Sequence, residues 1–153
     1  MSARSRARQV VLQLLYQDDL NPEIPAATVA QFLRKELKRN ASLTVFALSL
    51  LDGVRAHRKE LDVVLDAKAK HWSVKRMAVV DRNILRLGAY EILYAGTPGQ
   101  VVINEAVELA KQFGDQQSPS FVNGILDRVM RERAQHVPQA VEDGITPGPP
   151  DDS

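Results

Sequence analysis

Apolar residues return every three or four positions along most of this chain, and nowhere do they alternate with polar ones long enough to make a strand. That period confines the chain to helices packed on helices. Val10, Val11, Leu14 and Leu15 mark one helix over roughly 4–18, ended by Asn21, Pro22 and Pro25. A second spans about 26–39, with Val29, Phe32, Leu33 and Leu37 inward. After a break at 40–44, where Ser42 or Thr44 is placed to cap, a third covers 44–58 with Val45, Leu48, Leu51 and Val54 inward. Residues 59–70 continue as helix, and Ser73 stands as N-cap of a long helix over 74–95 that Gly96, Pro98 and Gly99 stop. Another runs over 102–113, with Gly114 in the position of a left-handed C-cap. Ser118 and Pro119 open the last, as N-cap and first helical residue. The expected fold is all-α, a bundle of six to seven helices.

The chain has 153 residues, enough for one domain that buries about two-thirds of its unfolded surface. Two regions are expected: a helical domain over 1–137 and a disordered tail over 138–153, where four of the eight prolines fall. With no cysteine, disulfide frameworks, thiolate metal sites and thiol catalysis are excluded, which suits a reducing cytoplasm. Charges interrupt every apolar stretch well before the roughly 18 residues of a membrane helix, and no signal-peptide core follows the N-terminal arginines.

The net charge of +1 hides an asymmetry. The tail carries Glu142, Asp143, Asp151 and Asp152 and no Lys or Arg, whereas the first 17 residues carry Arg4, Arg6 and Arg8 and no acid. A basic end opposite an acidic tail points to a polyanion partner, or else to a solvated terminus. Catalytic signatures are missing. There is no glycine-rich phosphate loop and no Gly-x-Ser-x-Gly elbow, and His57, His71 and His136 lack a second ligand at helical spacing. Glu105, in the first turn of its helix, reads as a match to the helix dipole. No cofactor, metal or enzymatic activity is expected.

The first helix is the most informative segment. At about 100° per residue, Ala7, Val10, Val11, Leu14 and Leu15 gather on one side, and Arg6, Gln9, Gln13 and Tyr16 on the other. An aromatic ring beside amides and an arginine can stack on bases, bond base edges and hold phosphates of single-stranded RNA. The alternative is a tyrosine packed under the next segment. Arg4 and Arg8 project elsewhere unless the first residues form an extended arm. Phe121 lies at the edge of the last helix's apolar stripe, and Asn123 and Gly124 are poor helix formers inside that helix. Trp72 reads as an anchor at the joint between two helices, with stacking on a base beside Lys75 and Arg76 as the alternative, and Arg82 and Arg86 read as partners in surface ion pairs.

Taken together, Arg4–Gln17 (RSRARQVVLQLLYQ), Trp72 with Val79–Glu91 (VVDRNILRLGAYE), Val102–Gly114 (VINEAVELAKQFG) and Phe121–Asp127 (FVNGILD) resemble the NusB family of bacterial transcription antitermination factors. The matches follow the family's order and spacing over most of residues 4–130. The resemblance implies two packed three-helix subdomains. It implies binding to boxA RNA of ribosomal RNA leaders, together with NusE, a small-subunit ribosomal protein. It further implies assembly with other Nus factors on RNA polymerase, and suppression of premature termination. By the same resemblance the RNA-binding residues are Arg4, Arg6 and Arg8, Tyr16, Gln117 and Ser118 in the loop before the last helix, and Phe121; Gln13 joins them from the helical projection. Gln116-Gln117 stand where relatives carry acids, and Pro119 is inserted into the cap. Two other readings share the fold: a helical homodimer module, and a fragment related to the RNA-binding part of RNA cytosine methyltransferases.

Overall fold

The computed structural model describes residues 2–22 and 24–144, with side chains of the last helix through Arg133. Seven α-helices follow one another: α1 (Ala3–Leu20), α2 (Ala26–Glu36), α3 (Ala41–Ala56), α4 (Arg58–Lys68), α5 (Val79–Tyr90), α6 (Gly99–Phe113) and α7 (Ser118–Gly144). A 3₁₀ turn (Val74–Arg76) precedes α5, and a π turn (Glu91–Ala95) extends it. Among the described residues there is no strand, and no helix is long and apolar enough to cross a membrane. The expected all-α bundle is what the chain forms.

The helices divide into two groups. In the first, α1 packs on α3 while α2 bridges them. In the second, α5, α6 and α7 pack on one another, and α4 joins them through α5 and α7. The second group therefore holds four helices rather than the expected three. α1 joins the groups, because it also packs on α5. Its apolar stripe of Ala7, Val10, Val11, Leu14 and Leu15 is buried in the shared core with Leu50 and Leu51 of α3 and Ile84 and Leu87 of α5. Ser2 caps α1 by accepting the Ser5 N–H at 3.1 Å.

Gly53 has a packing reason to be where it is. A Cβ there would lie 2.0 Å from the Tyr90 ring, so its absence lets α5 close on α3. Gly96 ends the π turn at φ 74°, a backbone state that glycine adopts freely.

Several local expectations are corrected. Asn40, not Ser42 or Thr44, caps α3: its side chain accepts the Leu43 N–H at 3.0 Å, so the helix starts at Ala41. Val45 faces solvent, on the side of α3 opposite the buried Ala47, Leu50, Leu51 and Val54. Ser73 does not cap the long helix, because Met77 and Ala78 are extended and α5 begins only at Val79. Gly114 is extended rather than left-handed, with φ −92° and ψ −170°. α7 continues past Pro138 to Gly144. Proline removes one helical hydrogen bond but does not forbid continuation, and Gln139, Ala140 and Glu142 favour helix. The rest of the expected tail, 145–153, lies outside the described residues.

Charge as well as apolar packing ties the two groups together. Asp19, at the end of α1, keeps a carboxylate only 3% exposed among Arg58 of α4 and Arg82, Asn83 and Arg86 of α5. Asn83 donates to it at 2.8 Å and Arg82 at 3.2 Å. Arg86 is itself buried and donates through Nε and Nη2 to Asp62 at 2.8 and 3.0 Å. This is an interior network, not the expected surface pairing of Arg82 and Arg86. Burial alone would raise the Asp19 pKa, but the bonds from Asn83 and Arg82 and the charges of Arg86 and Arg58 outweigh it and hold the pKa below the usual carboxylate value. The stability this provides is present above the unfolded pKa and is lost as pH falls through the folded one. Asp19→Ala is expected to cost about 3 kcal/mol, the low end for breaking a buried pair, because Arg86 keeps Asp62. Urea unfolding at pH 7 measures that cost, and the gap from the parent chain should narrow in acid.

Candidate nucleic-acid interface

The outer face of α1 carries the first part of the site. Arg4 is exposed, and its guanidinium lies 4.2 Å from the centroid of the Phe46 ring on α3. Arg6 donates to Gln9 at 2.8 Å and to Glu36 at the end of α2 at 2.6 Å. Gln9 in turn donates to Gln112 of α6 at 3.2 Å. This polar row fixes how α2 and α6 flank α1. Further along, Gln13 and Tyr16 stay accessible, Tyr16 at 37%. They stand at a groove of about 820 Å³ between α1 and α2, lined by Leu12, Ile24, Val29, Phe32, Val80 and Phe113 among others. Phe113 is 40% exposed at the end of α6. The sequence placed Phe113 on its helix's apolar face and so missed it as a surface aromatic. Only the tertiary fold brings it to the groove of Tyr16.

A second groove of about 850 Å³ adjoins the first. Val80 lines one and Asp81 the other, and Phe113 lines one while Asp115 and its loop line the other. Trp72, Arg76, Asp81, Gln117 and Phe121 form its working surface. Trp72 is 54% exposed, so it is not the interhelical anchor the sequence suggested. Val74 and Met77, both buried, fill that joint instead. Phe121 is half-buried at the edge of α7, where the helical projection placed it. Gly124 answers no close contact, since a Cβ there would meet only Arg128, at 3.9 Å, and Asn123 is exposed.

Two of the expected RNA-binding residues are turned to other work. Arg8 is buried, and its Nε and Nη2 donate to Glu91 at 2.7 and 2.8 Å in a bidentate pair, 5% and 2% exposed. Glu105 lies 3.7 Å from Nη1, and Thr97 donates its hydroxyl to Glu91 at 3.0 Å. Burial alone would lower the Arg8 pKa, but the hydrogen bond and charge of Glu91, with the charge of Glu105, raise it. Its charge is thus permanent and fully used inside. Ser118 is buried too, its hydroxyl taking the Asp115 N–H at 3.0 Å and lying 3.2 Å from the Asp115 carboxylate. Asp115, rather than Ser118, supplies the cap, accepting from the Gln117 and Ser118 amides at 2.8 and 3.1 Å. That leaves Arg4, Arg6, Gln13, Tyr16, Gln117 and Phe121 accessible: Arg4 on the α3 side and Arg6 on the α2 side of the start of α1, Gln13 and Tyr16 at the first groove, and Gln117 and Phe121 in the second.

Asp81 was not singled out by the sequence. It is buried, and its Oδ1 has no hydrogen-bond partner among the described residues. Burial raises its pKa; Ser118 opposes the shift and the nearby charge of Asp115 adds to it. A carboxylate kept there at neutral pH costs stability, as functional groups often do.

Two outcomes follow from these burials. Arg8→Ala should lose about 3–5 kcal/mol in urea unfolding, because Glu91 is left buried and unpaired, and Arg8→Met with Glu91→Leu should recover most of it. Asp81→Asn should raise the melting temperature at pH 7 and much less at pH 4. The sign follows from the raised pKa: the penalty of the ionised form vanishes once the folded group takes its proton.

Comparison with known proteins bears on this face. The model of the NusB family matches residues 5–131. The transcription antitermination protein NusB of Bdellovibrio bacteriovorus is 39% identical over 131 residues, covering 84% of this chain and 96% of that protein. Among solved structures, T. maritima NusB superposes with a TM-score of 0.75 at 34% identity, covering 84% of this chain and 91% of the other. A complex of antitermination factors NusB and NusE with double-stranded RNA matches with a TM-score of 0.75 at 30% identity, over 86% of this chain and 98% of the other. The chain belongs to the NusB family of transcription antitermination proteins.

Proposed function

We propose that this chain binds boxA-type single-stranded RNA of ribosomal RNA leaders together with a NusE-type partner, as a binding protein of the cytoplasm rather than an enzyme. The observation that carries this reading is the set of accessible aromatic and amide side chains in two grooves, Gln13, Tyr16 and Phe113 in one and Trp72, Gln117 and Phe121 in the other, with the exposed Arg4 at the start of the same helix as Tyr16. Arg4 and Arg6 supply positive charge for phosphates. Tyr16, Phe113, Trp72 and Phe121 offer rings for unstacked bases, and Gln13 and Gln117 offer amides for base edges. Membership of the NusB family, and a relative solved with NusE and double-stranded RNA, support an RNA ligand and a NusE-type partner. Engagement of RNA polymerase with other Nus factors belongs to this reading as the setting in which the RNA is held.

The lining of the first groove favours a second element of the reading. Leu12, Ile24, Val29, Phe32 and Val80 offer little to bond to RNA, and their apolar surface suits the protein partner. RNA and partner then meet along the line of Gln13 and Tyr16. Self-association through the same groove would make a homodimer that competes with NusE.

Fluorescence anisotropy with a labelled boxA-like RNA, over a salt series and with or without NusE, tests the proposal. Salt-sensitive binding that NusE strengthens and a scrambled RNA does not reproduce is expected, whereas no binding at low salt even with NusE overturns it. Tyr16→Ala should lose about 1–3 kcal/mol of RNA affinity in the chain alone, the value of one stacked base. Loss confined to NusE binding would instead give Tyr16 to the protein partner. Arg4→Gln should weaken RNA binding and flatten its salt dependence while costing no more than about 1 kcal/mol in unfolding, the value of its exposed contact with the Phe46 ring.

A further inference from the structure

The turn between α2 and α3 carries charge that neither packing nor pairing explains. Arg34, Lys35, Lys38 and Arg39 crowd into six positions with Glu36 as the only acid. All four bases are exposed, and among the described residues none has a carboxylate partner. Glu36 is itself taken by Arg6 at 2.6 Å. Arg34 and Lys35 sit in the last turn of α2, where a cation matches the helix dipole. Lys38 and Arg39 lie beyond that turn, and dipole matching does not require them.

The backbone adds a second observation. Lys38 and Arg39 take positive φ of 53° and 60°, two left-handed residues in succession. The Arg39 amide closes the end of α2 by donating to the Arg34 carbonyl at 2.8 Å. Glycine or asparagine adopts this conformation readily, while a long L side chain does so at a cost in conformational energy. Two cations are kept where smaller neutral residues would be more stable. Strain of this kind gathers at functional positions.

The fold places this turn beside the arginines of α1. The Arg6–Glu36 contact holds the end of α2 against the start of α1, and Arg4 lies on Phe46, in the second turn of α3. The turn therefore joins two helix ends that both touch the Arg4–Arg6 segment. We propose that Arg34, Lys35, Lys38 and Arg39, in the turn between the two helices that Arg4 and Arg6 touch, form with these arginines a track for the phosphate backbone of RNA flanking the core element. This rests on the RNA-binding reading above. It assigns the turn no role in choosing sequence, because exposed cations meet phosphates and not base edges. An acidic protein segment is the competing occupant, and RNA is favoured because the track is continuous with the proposed RNA face.

The test uses the full chain with two labelled RNAs, one trimmed to the boxA-like core and one extended on both sides. Lys38→Asn with Arg39→Asn removes both charges and keeps residues that accept positive φ, so its melting temperature should hold or rise. On the extended RNA this variant should flatten the slope of log affinity against log salt by about 1.4, two phosphate contacts at roughly 0.7 each for single strands. On the core RNA it should match the parent chain. An extended-RNA slope equal to the parent's overturns the track while leaving core binding intact. Unchanged RNA binding with lost affinity for polyglutamate would also overturn it, in favour of an acidic protein. Failure of the parent chain to bind either RNA at low salt, even with NusE added, would overturn this inference and the function it rests on together.

Discussion

The bidentate pair between Arg8 and Glu91 sets the orientation of the first helix, and the proposed binding face depends on that orientation. Two charges taken out of water repay their desolvation only if geometry is good and the remaining lone pairs are bonded. Here Thr97 and the nearby Glu105 complete the set around them. Such a pair adds little net stability over an apolar substitute, but it penalises every rotation of α1 that separates the charges. The Asp19 network does the same at the other end of the helix. Pinned at both ends, α1 has one rotational setting. Tyr16 and Gln13 face outward because Arg8 and Asp19 face inward.

The same setting determines what flanks the face. With Arg6 bonded to Glu36 and Gln9 to Gln112, α2 and α6 sit on either side of α1 at fixed positions. α6 delivers Phe113 and then the Asp115-capped turn, which starts α7 and presents Gln117 and Phe121. α5 begins late, at Val79, because Met77 and Ala78 are extended, and this leaves Trp72 free at the rim of the second groove. Neither groove belongs to one helix. Both arise where α5 starts and α6 ends, the first between the two helical groups and the second within the group of α4 to α7.

Much of the fold was legible in the sequence because helix periodicity and breakers are local signals. Val10, Val11, Leu14 and Leu15 define the buried side of α1, and Gly96, Pro25 and Pro98 mark real helix ends, whereas Pro138 does not. The role of Arg8 was legible in principle and was misread. It stands at i, i+3, i+4 and i+7 with Val11, Leu12 and Leu15, so it falls on the buried stripe. Glu91 holds the same relation to Ile84, Leu87 and Gly88 on α5. Opposite charges on two apolar stripes are the signal of an interior pair. Trp72, Phe113 and Asp81 were not legible, because their exposure or isolation depends on which helices meet around them. The α2–α3 turn matched the family only weakly, and the positive φ of Lys38 and Arg39 has no local signature without glycine or asparagine.

In the proposed reading α1, the two grooves and the α6–α7 turn carry RNA while Arg8 holds α1 in place from inside. Photocrosslinking of 4-thiouridine-substituted boxA RNA to the NusE-bound chain, mapped by mass spectrometry, tests it most directly. Crosslinks are predicted on peptides carrying Tyr16, Trp72 or Phe121 and at the start of α1, with Arg8→Met plus Glu91→Leu scattering or losing them despite a stable fold. Crosslinks confined to the exposed face of α4 around Val63, or a pattern unchanged in that double variant, would contradict the account.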